Sequence, residues 1–183
     1  TRLPLISLPR NFPAPKANPL VCISSNIGDA GRQQEKAGDI GKLDIYSLAE
    51  ILFFSAGITR EVKHGSATYY MRAASATGAL YPIELYIVCQ GISGLDAGIY
   101  HFCPADFSLA VLRTWSSMQA GKTGQKGRFT GSDTGANPAF ANLFTAPVSI
   151  VFTSVAWRNA WKYASRSYRH WFWDAGVIAA NLL

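Results

Sequence analysis

Residues 83–115 hold three runs rich in β-branched and aromatic side chains, IELYIVCQ, IYHF and LAVLRTW, divided by the turn sequences SGLDAG and PADFS. Connections this short can only join neighbouring strands that run in opposite directions. The stretch therefore predicts an antiparallel meander. In its first strand Leu85, Ile87 and Cys89 face one way, and Glu84, Tyr86 and Val88 the other. Further along, APVSIVFTSVAW predicts a buried strand by its β-branched apolar content. KLDIYSLAEILFFSAGITR has helical spacing, with Leu48, Ile51, Leu52 and Ser55 on one side and Gly57 as its stop. EVKHGSATYYMR reads as a loop or short strand. Long helices alternating with an antiparallel core give the α+β class.

Residues 1–42 are rich in Pro, Gly and polar residues and predict an extended arm. Residues 43–183 form the domain, within which the polar, Gly-rich stretch 116–142 reads as a mobile insertion. With 49% apolar and 15% charged residues, the chain is not of the disordered class. No apolar run approaches the roughly 18 residues a membrane-spanning helix needs. The N-terminus, TRLPLISLPR, lacks the apolar core of a secretory signal. Cys22, Cys89 and Cys103 have no CxxC spacing, which disfavours zinc or a disulfide framework and points to a reducing cytoplasm. The absence of an initiator Met and the ending inside GVIAANLL predict a fragment of a longer chain.

Two tempting motifs fail on their own chemistry. AGKTGQKG contains GKT, but a phosphate-cradling loop needs Gly where Ser116 stands, and no apolar helix follows. His64, His101 and His170 are too dispersed to form a metal-site pattern, so no metal is expected. A formal charge of +6 suits a phosphate-bearing ligand or nucleic acid, and the scatter of most basic residues disfavours the latter. No GxSxG or Cys–His pattern supports a covalent nucleophile.

Two segments carry chemistry. In MRAASATGALYPIELYIV, the residues after Arg72 are small, with Ser75, Thr77 and Gly78 in the middle. Small side chains leave backbone groups open to a planar ring, and Arg72 can meet a phosphate with its fork of donors. A Ser-capped turn with close packing explains the same residues. In RNAWKYASRSYRHWFWDAG, a continuous helix would set Arg158, Lys162, Arg166 and Arg169 on one basic stripe. Trp157, Trp161, Tyr168 and Phe172 would form a parallel aromatic stripe. An amphipathic helix with its rings in the core and its cations in water is one reading. A basic edge facing an anionic cofactor is the other, with Lys162 favouring the phenolate of Tyr163 and making it a better base.

LAEILFFSAGITR, RAASATGALYPIELYIV, GLDAGIYHF and APVSIVFTSVAWRNAWKYASRSYRHWFWDAGVIAANLL together resemble the SagB-type dehydrogenase branch of the nitroreductase superfamily, over residues 45–183. The resemblance implies a nitroreductase-like α+β homodimer that binds FMN at the subunit interface. Azoline-oxidising members dehydrogenate thiazoline or oxazoline rings of ribosomal peptides, while others are FMN-dependent oxidoreductases. It places Arg72, Ser75, Thr77 and Gly78 against the flavin and makes Lys162 and Tyr163 the catalytic pair. Arg166, Tyr168 and Arg169 match an R.YR element that leads into the interface helix, with Arg166 on the cofactor. A peptide or small-molecule substrate and a cyclodehydratase partner are implied, with no nucleic acid and no membrane. A general NAD(P)H-dependent nitroreductase and a non-catalytic flavin-binding domain are the alternatives. The chain departs from the family in two places. The Arg-rich phosphate clamp expected near the N-terminus has only Arg32 as its counterpart, and family members continue beyond the NLL helix.

Overall fold

The computed structural model describes residues 3–12, 43–114 and 146–182. The insertion expected at 116–142, Arg32, Cys22 and most of the arm lie outside the described residues. Strands β1 (Leu5–Ser7), β4 (Ile83–Cys89), β5 (Gly98–Cys103), β6 (Ser108–Thr114) and β7 (Val148–Ser154) form one sheet in the order β1-β6-β5-β4-β7. Every pairing in it is antiparallel. The predicted meander is β4-β5-β6, and β7 pairs with the free side of β4. A separate hairpin joins β2 (Ile58–His64) to β3 (Ala67–Arg72). The helices are α1 (Ile45–Ala56), α2 (Trp157–Tyr163) and α3 (Ser167–Leu182), with α1 and α3 packed on each other. The α+β class expected from the sequence is what forms.

The two faces of the sheet differ in chemistry. Leu85, Ile87 and Cys89 of β4 share a face with Tyr100 and Phe102 of β5, and this face joins Leu48 and Leu52 of α1 and Ile178 of α3 in the core. The opposite face carries Glu84, Tyr86 and His101. Both faces of β4 are largely covered, so the half-polar alternation read from the sequence becomes a central strand with a buried carboxylate. β7 was expected to be buried. It is the edge strand of the described sheet and only half-buried, with Val148, Ile150 and Phe152 reaching the core.

Local chemistry explains the ends of α1. The Asp44 side chain accepts from the Ser47 N–H at 2.8 Å, an N-cap bond that also holds its carboxyl below the usual range. At the other end the Gly57 N–H reaches Phe53 O at 3.0 Å. A Cβ on Gly57 would lie 2.7 Å from that same oxygen, so the stop needs Gly for space rather than for a left-handed φ. Ile51 is exposed instead of buried, because the covered face also takes in Ala49 and Ala56 and turns Ile51 outward. The start of the arm is docked: β1 pairs with β6, Leu8 is buried, and Phe12 packs against Phe53 at 5.1 Å.

Tyr100 is fully buried and donates its hydroxyl to Asp96 O at 2.8 Å. Burial pushes its phenol up to about 12, with Cys89 and Asp96 adding to the effect. The unfolded phenol ionises near its ordinary value of about 10. The stability tied to the neutral ring is therefore whole below pH 10 and is lost as pH rises toward 12. Urea denaturation between pH 8 and 12 should show a steep alkaline loss in the wild type. Tyr100→Phe, although less stable at pH 8 for want of the hydrogen bond, should show a flatter one.

Candidate functional site

The site is built from two strained turns. After β3 the chain runs through the small residues Ala73–Ala79 into a single 3₁₀ turn, Thr77–Ala79. Gly78, Ala79 and Tyr81 have φ of 68°, 55° and 47°, three left-handed residues among four. For Ala and Tyr that geometry costs on the order of 1 kcal/mol or more each, and it persists only where the surroundings hold it. Here they do. The Thr77 N–H and hydroxyl both donate to Asp174 Oδ1, each at 2.9 Å, from 97 residues away. The Arg72 N–H donates to the Tyr81 hydroxyl at 3.2 Å, and the Arg72 guanidinium lies over the Tyr81 ring at 4.6 Å. Tyr81 O accepts from Arg158 at 2.9 Å, and Pro82 O from the Val155 N–H at 2.8 Å.

The second turn breaks the helix expected over the basic stretch. Ala164 sits at φ 48°, ψ −132°, and a 3₁₀ turn, Ala164–Arg166, separates α2 from α3. There is consequently no single basic stripe. Arg158 turns inward, where its Nη1 pairs with Glu84 Oε1. Glu84 Oε2 takes a second contact from His101 Nε2 at 2.7 Å, in which the ring nitrogen supplies the proton. Asn159 is fully buried and its Oδ1 accepts from Trp171 Nε1 at 2.7 Å, which ties α3 to α2. The aromatic stripe does not enter the core either. Trp157, Trp161, Tyr168 and Phe172 are all exposed, while Trp171 and Ala175 pack against the core.

With Arg158 anchored, the end of α2 comes down on the small-residue turn. A Cβ built on Gly78 would lie 2.5 Å from Tyr163 Oη and 3.3 Å from Lys162 Nζ. The Lys162 ammonium is 5.3 Å from the Tyr163 ring centroid. The two segments that the sequence singled out separately thus meet at one point. Ser75 and Gly78 are exposed, so the backbone of this turn is open on its outer side.

The other expected residues divide between two cavities. Arg72 and Ser75 border, with Asp174, a cavity of about 10 Å³, room for one water. That cavity has no room for a flat ring. Burial is the main force holding the Arg72 guanidinium below its usual value, opposed by Glu84 and assisted by Arg158. Thr77 spends both its donors on Asp174. Arg166 lies elsewhere, on an open cavity of about 570 Å³ with Arg169, Tyr168, His170 and Trp173. The two regions touch through His170, whose ring meets Tyr163 edge-on at 4.6 Å.

Asp174, His170 and Glu84 adjoin these groups, and the sequence reading gave none of them a role in the site. A lone carboxylate in the otherwise apolar run FWDAGVI was the available signal for Asp174, since a buried charge needs a partner. Asp174 Oδ2 and His170 Nδ1 are buried without a partner among the described residues. No group of three or more His, Cys, Asp or Glu able to hold a metal exists among the described residues. No helix there is long and apolar enough to cross a membrane.

No family model matches the chain. A curated protein of Methanocaldococcus jannaschii, provisionally named a nitroreductase, is 24% identical over 145 residues, 76% of this chain and 61% of its own length. A solved structure from Anabaena variabilis, also provisionally a nitroreductase, has 30% identity and a TM-score of 0.56 over 74% of this chain and 25% of its own. Another such structure, from Ralstonia eutropha, has 19% identity and a TM-score of 0.58 over 97% and 69%. The Escherichia coli microcin synthetase McbBCD complex, with truncated pro-MccB17 bound, gives 20% identity and a TM-score of 0.51 over 86% and 57%. The chain thus spans under two thirds of the curated relative, and its fold is nitroreductase-like.

Gly78→Ala should be destabilising by more than about 1 kcal/mol, because it meets both a left-handed φ and the Tyr163 hydroxyl. Thr77→Val should cost about 1–3 kcal/mol by removing a donor from a buried carboxylate. Denaturant midpoints check both. Equal stability of Gly78→Ala and wild type would mean that Tyr163 does not lie over the turn.

Proposed function

We propose that the chain is part of an FMN-dependent oxidoreductase, and that within this class it acts as a SagB-type dehydrogenase on azoline rings of a ribosomally made peptide. The observation that carries the proposal is the convergence of Lys162 Nζ and Tyr163 Oη on Gly78. An acid–base pair beside an exposed, small-residue turn is what removal of a proton from a flat ring requires. The residues fit the cofactor. The turn from Ser75 to Ala79 offers open backbone to a ring system, Gly78 tolerates no side chain, and Arg72 faces no carboxylate within ion-pair distance among the described residues. Bound FMN would supply the acceptor for the two electrons that leave the ring.

The protein's own part is proton handling and orientation. Tyr163 acts as the base in its phenolate form, which the neighbouring Lys162 ammonium favours, and becomes a neutral phenol as its Oη takes the proton from ring carbon. Arg72, Ser75 and Gly78 hold the flavin, and Thr77 keeps the turn in shape through Asp174. Arg166, which the resemblance put on the cofactor, stands away from that turn on the open cavity at the start of α3. The likeness to the microcin synthetase complex, which contains its peptide, supports a peptide substrate and a cyclodehydratase partner. The provisional names of the other relatives favour a second reading, a general nitroreductase fed by NAD(P)H, and a homodimer suits either.

Lys162→Ala and Tyr163→Phe separate the proposal from a packing role. In the full-length protein, each should lower azoline oxidation by about 10²-fold or more, the scale of positioned acid–base catalysis, with bound flavin nearly unchanged. Flavin absorbance and peptide mass, which falls by two hydrogens per ring, read the two effects. A colourless wild type would remove the proposal. A yellow one that NAD(P)H reduces while azolines survive would select the nitroreductase reading.

A further inference from the structure

We infer that the open cavity at the start of α3 is a carboxylate subsite, and that the substrate carries an acidic group beside its planar ring. The second half of this inference rests on the oxidoreductase reading, and the first half does not. The cavity measures about 570 Å³, within the ~300–1,000 Å³ range of small-molecule sites. Arg166 and Arg169 border it, and neither has a carboxylate within 4.0 Å among the described residues. Arg158, in contrast, has Glu84. Two unpaired guanidinium forks on one concavity match a carboxylate, which they can grip through paired N–H donors.

The remaining walls suit a ring. Tyr168 and Trp173 are 64% and 56% exposed, unusual for side chains of their size. The Arg169 guanidinium stands 5.9 Å from the Trp173 ring, so cation and aromatic face serve the same space. His170 forms the wall between this cavity and Tyr163, with its ring 5.4 Å from Trp173 and 4.6 Å from Tyr163. Its Nδ1 is buried and without a partner among the described residues. The net charge of +6 draws anions toward the chain from a distance. The broken basic stripe argues against a phosphate backbone as the occupant, because Arg158 is spent on Glu84 and Lys162 stands at Gly78, which leaves two cations at the hollow instead of a line.

The test uses the purified chain at low salt, with phenylacetate and its neutral isostere phenylacetamide as probes, read by calorimetry. Phenylacetate should bind at least about tenfold more tightly than the amide, the equivalent of about 1.4 kcal/mol. Arg166→Gln and Arg169→Gln should each erase most of that preference while leaving amide binding and thermal stability in place. Equal binding of the two probes, or a preference unchanged in both variants, overturns the subsite. A parallel comparison of FMN with riboflavin separates the two sources of an oxyanion. If both variants also lose the advantage of FMN over riboflavin, the cavity belongs to the cofactor's phosphate and the substrate assignment falls. A colourless chain that still prefers phenylacetate keeps the carboxylate subsite and loses the oxidoreductase reading, together with the substrate assignment that rests on it.

Discussion

A buried carboxylate on the central strand sets the conditions for everything around it. Glu84 is 8% exposed and lies on the outer face of the sheet, where an unpaired charge would be costly. Arg158 and His101 satisfy it from two elements, and Arg158 also holds the Tyr81 carbonyl. A buried ion pair contributes little net stability over an apolar pair of the same shape, because desolvation offsets the attraction. Its value here is positional. It fixes the first turn of α2 to the end of the small-residue loop, and one helical turn later Lys162 and Tyr163 fall on Gly78.

Strain follows the same map. Ala79, Tyr81 and Ala164 adopt left-handed φ values, and all three flank the point where the two segments meet. The contacts that hold them reach across the chain: Asp174 to Thr77, Arg158 to Tyr81, Trp171 to Asn159. A backbone kept in such states by distant partners gives a site whose shape is set before any ligand arrives.

The meander and α1 were legible in the sequence because their signals are local. Turn residues, β-branched runs, helical spacing and a Gly stop each act within a few positions. The break at Ala164 was not legible, because ASRSY contains no residue that forbids a helix. What ends α2 there is tertiary, with Arg158 drawn to Glu84 and buried Asn159 bound to Trp171 overriding local preference. The exposed rings were misjudged for a related reason, since helical spacing predicts one inner face and the break supplies two short helices with different ones. Residue identities picked out the turn and the Lys–Tyr pair, but only the fold puts them in contact.

The bond from Thr77 to Asp174 has a consequence for the order in which the molecule is made. Ninety-seven residues separate the partners, an interval that a ribosome takes about 5–20 s to cross. During that time β4, β5 and β6 can pair with one another, while β7 and α3, which complete β4 and cover α1, come later. The turn at Thr77–Ala79 has none of the three groups that hold it, since Val155, Arg158 and Asp174 come later in the chain. Its left-handed residues are therefore free to relax while the sheet forms beneath them. The turn takes its final shape only once Asp174 has been made.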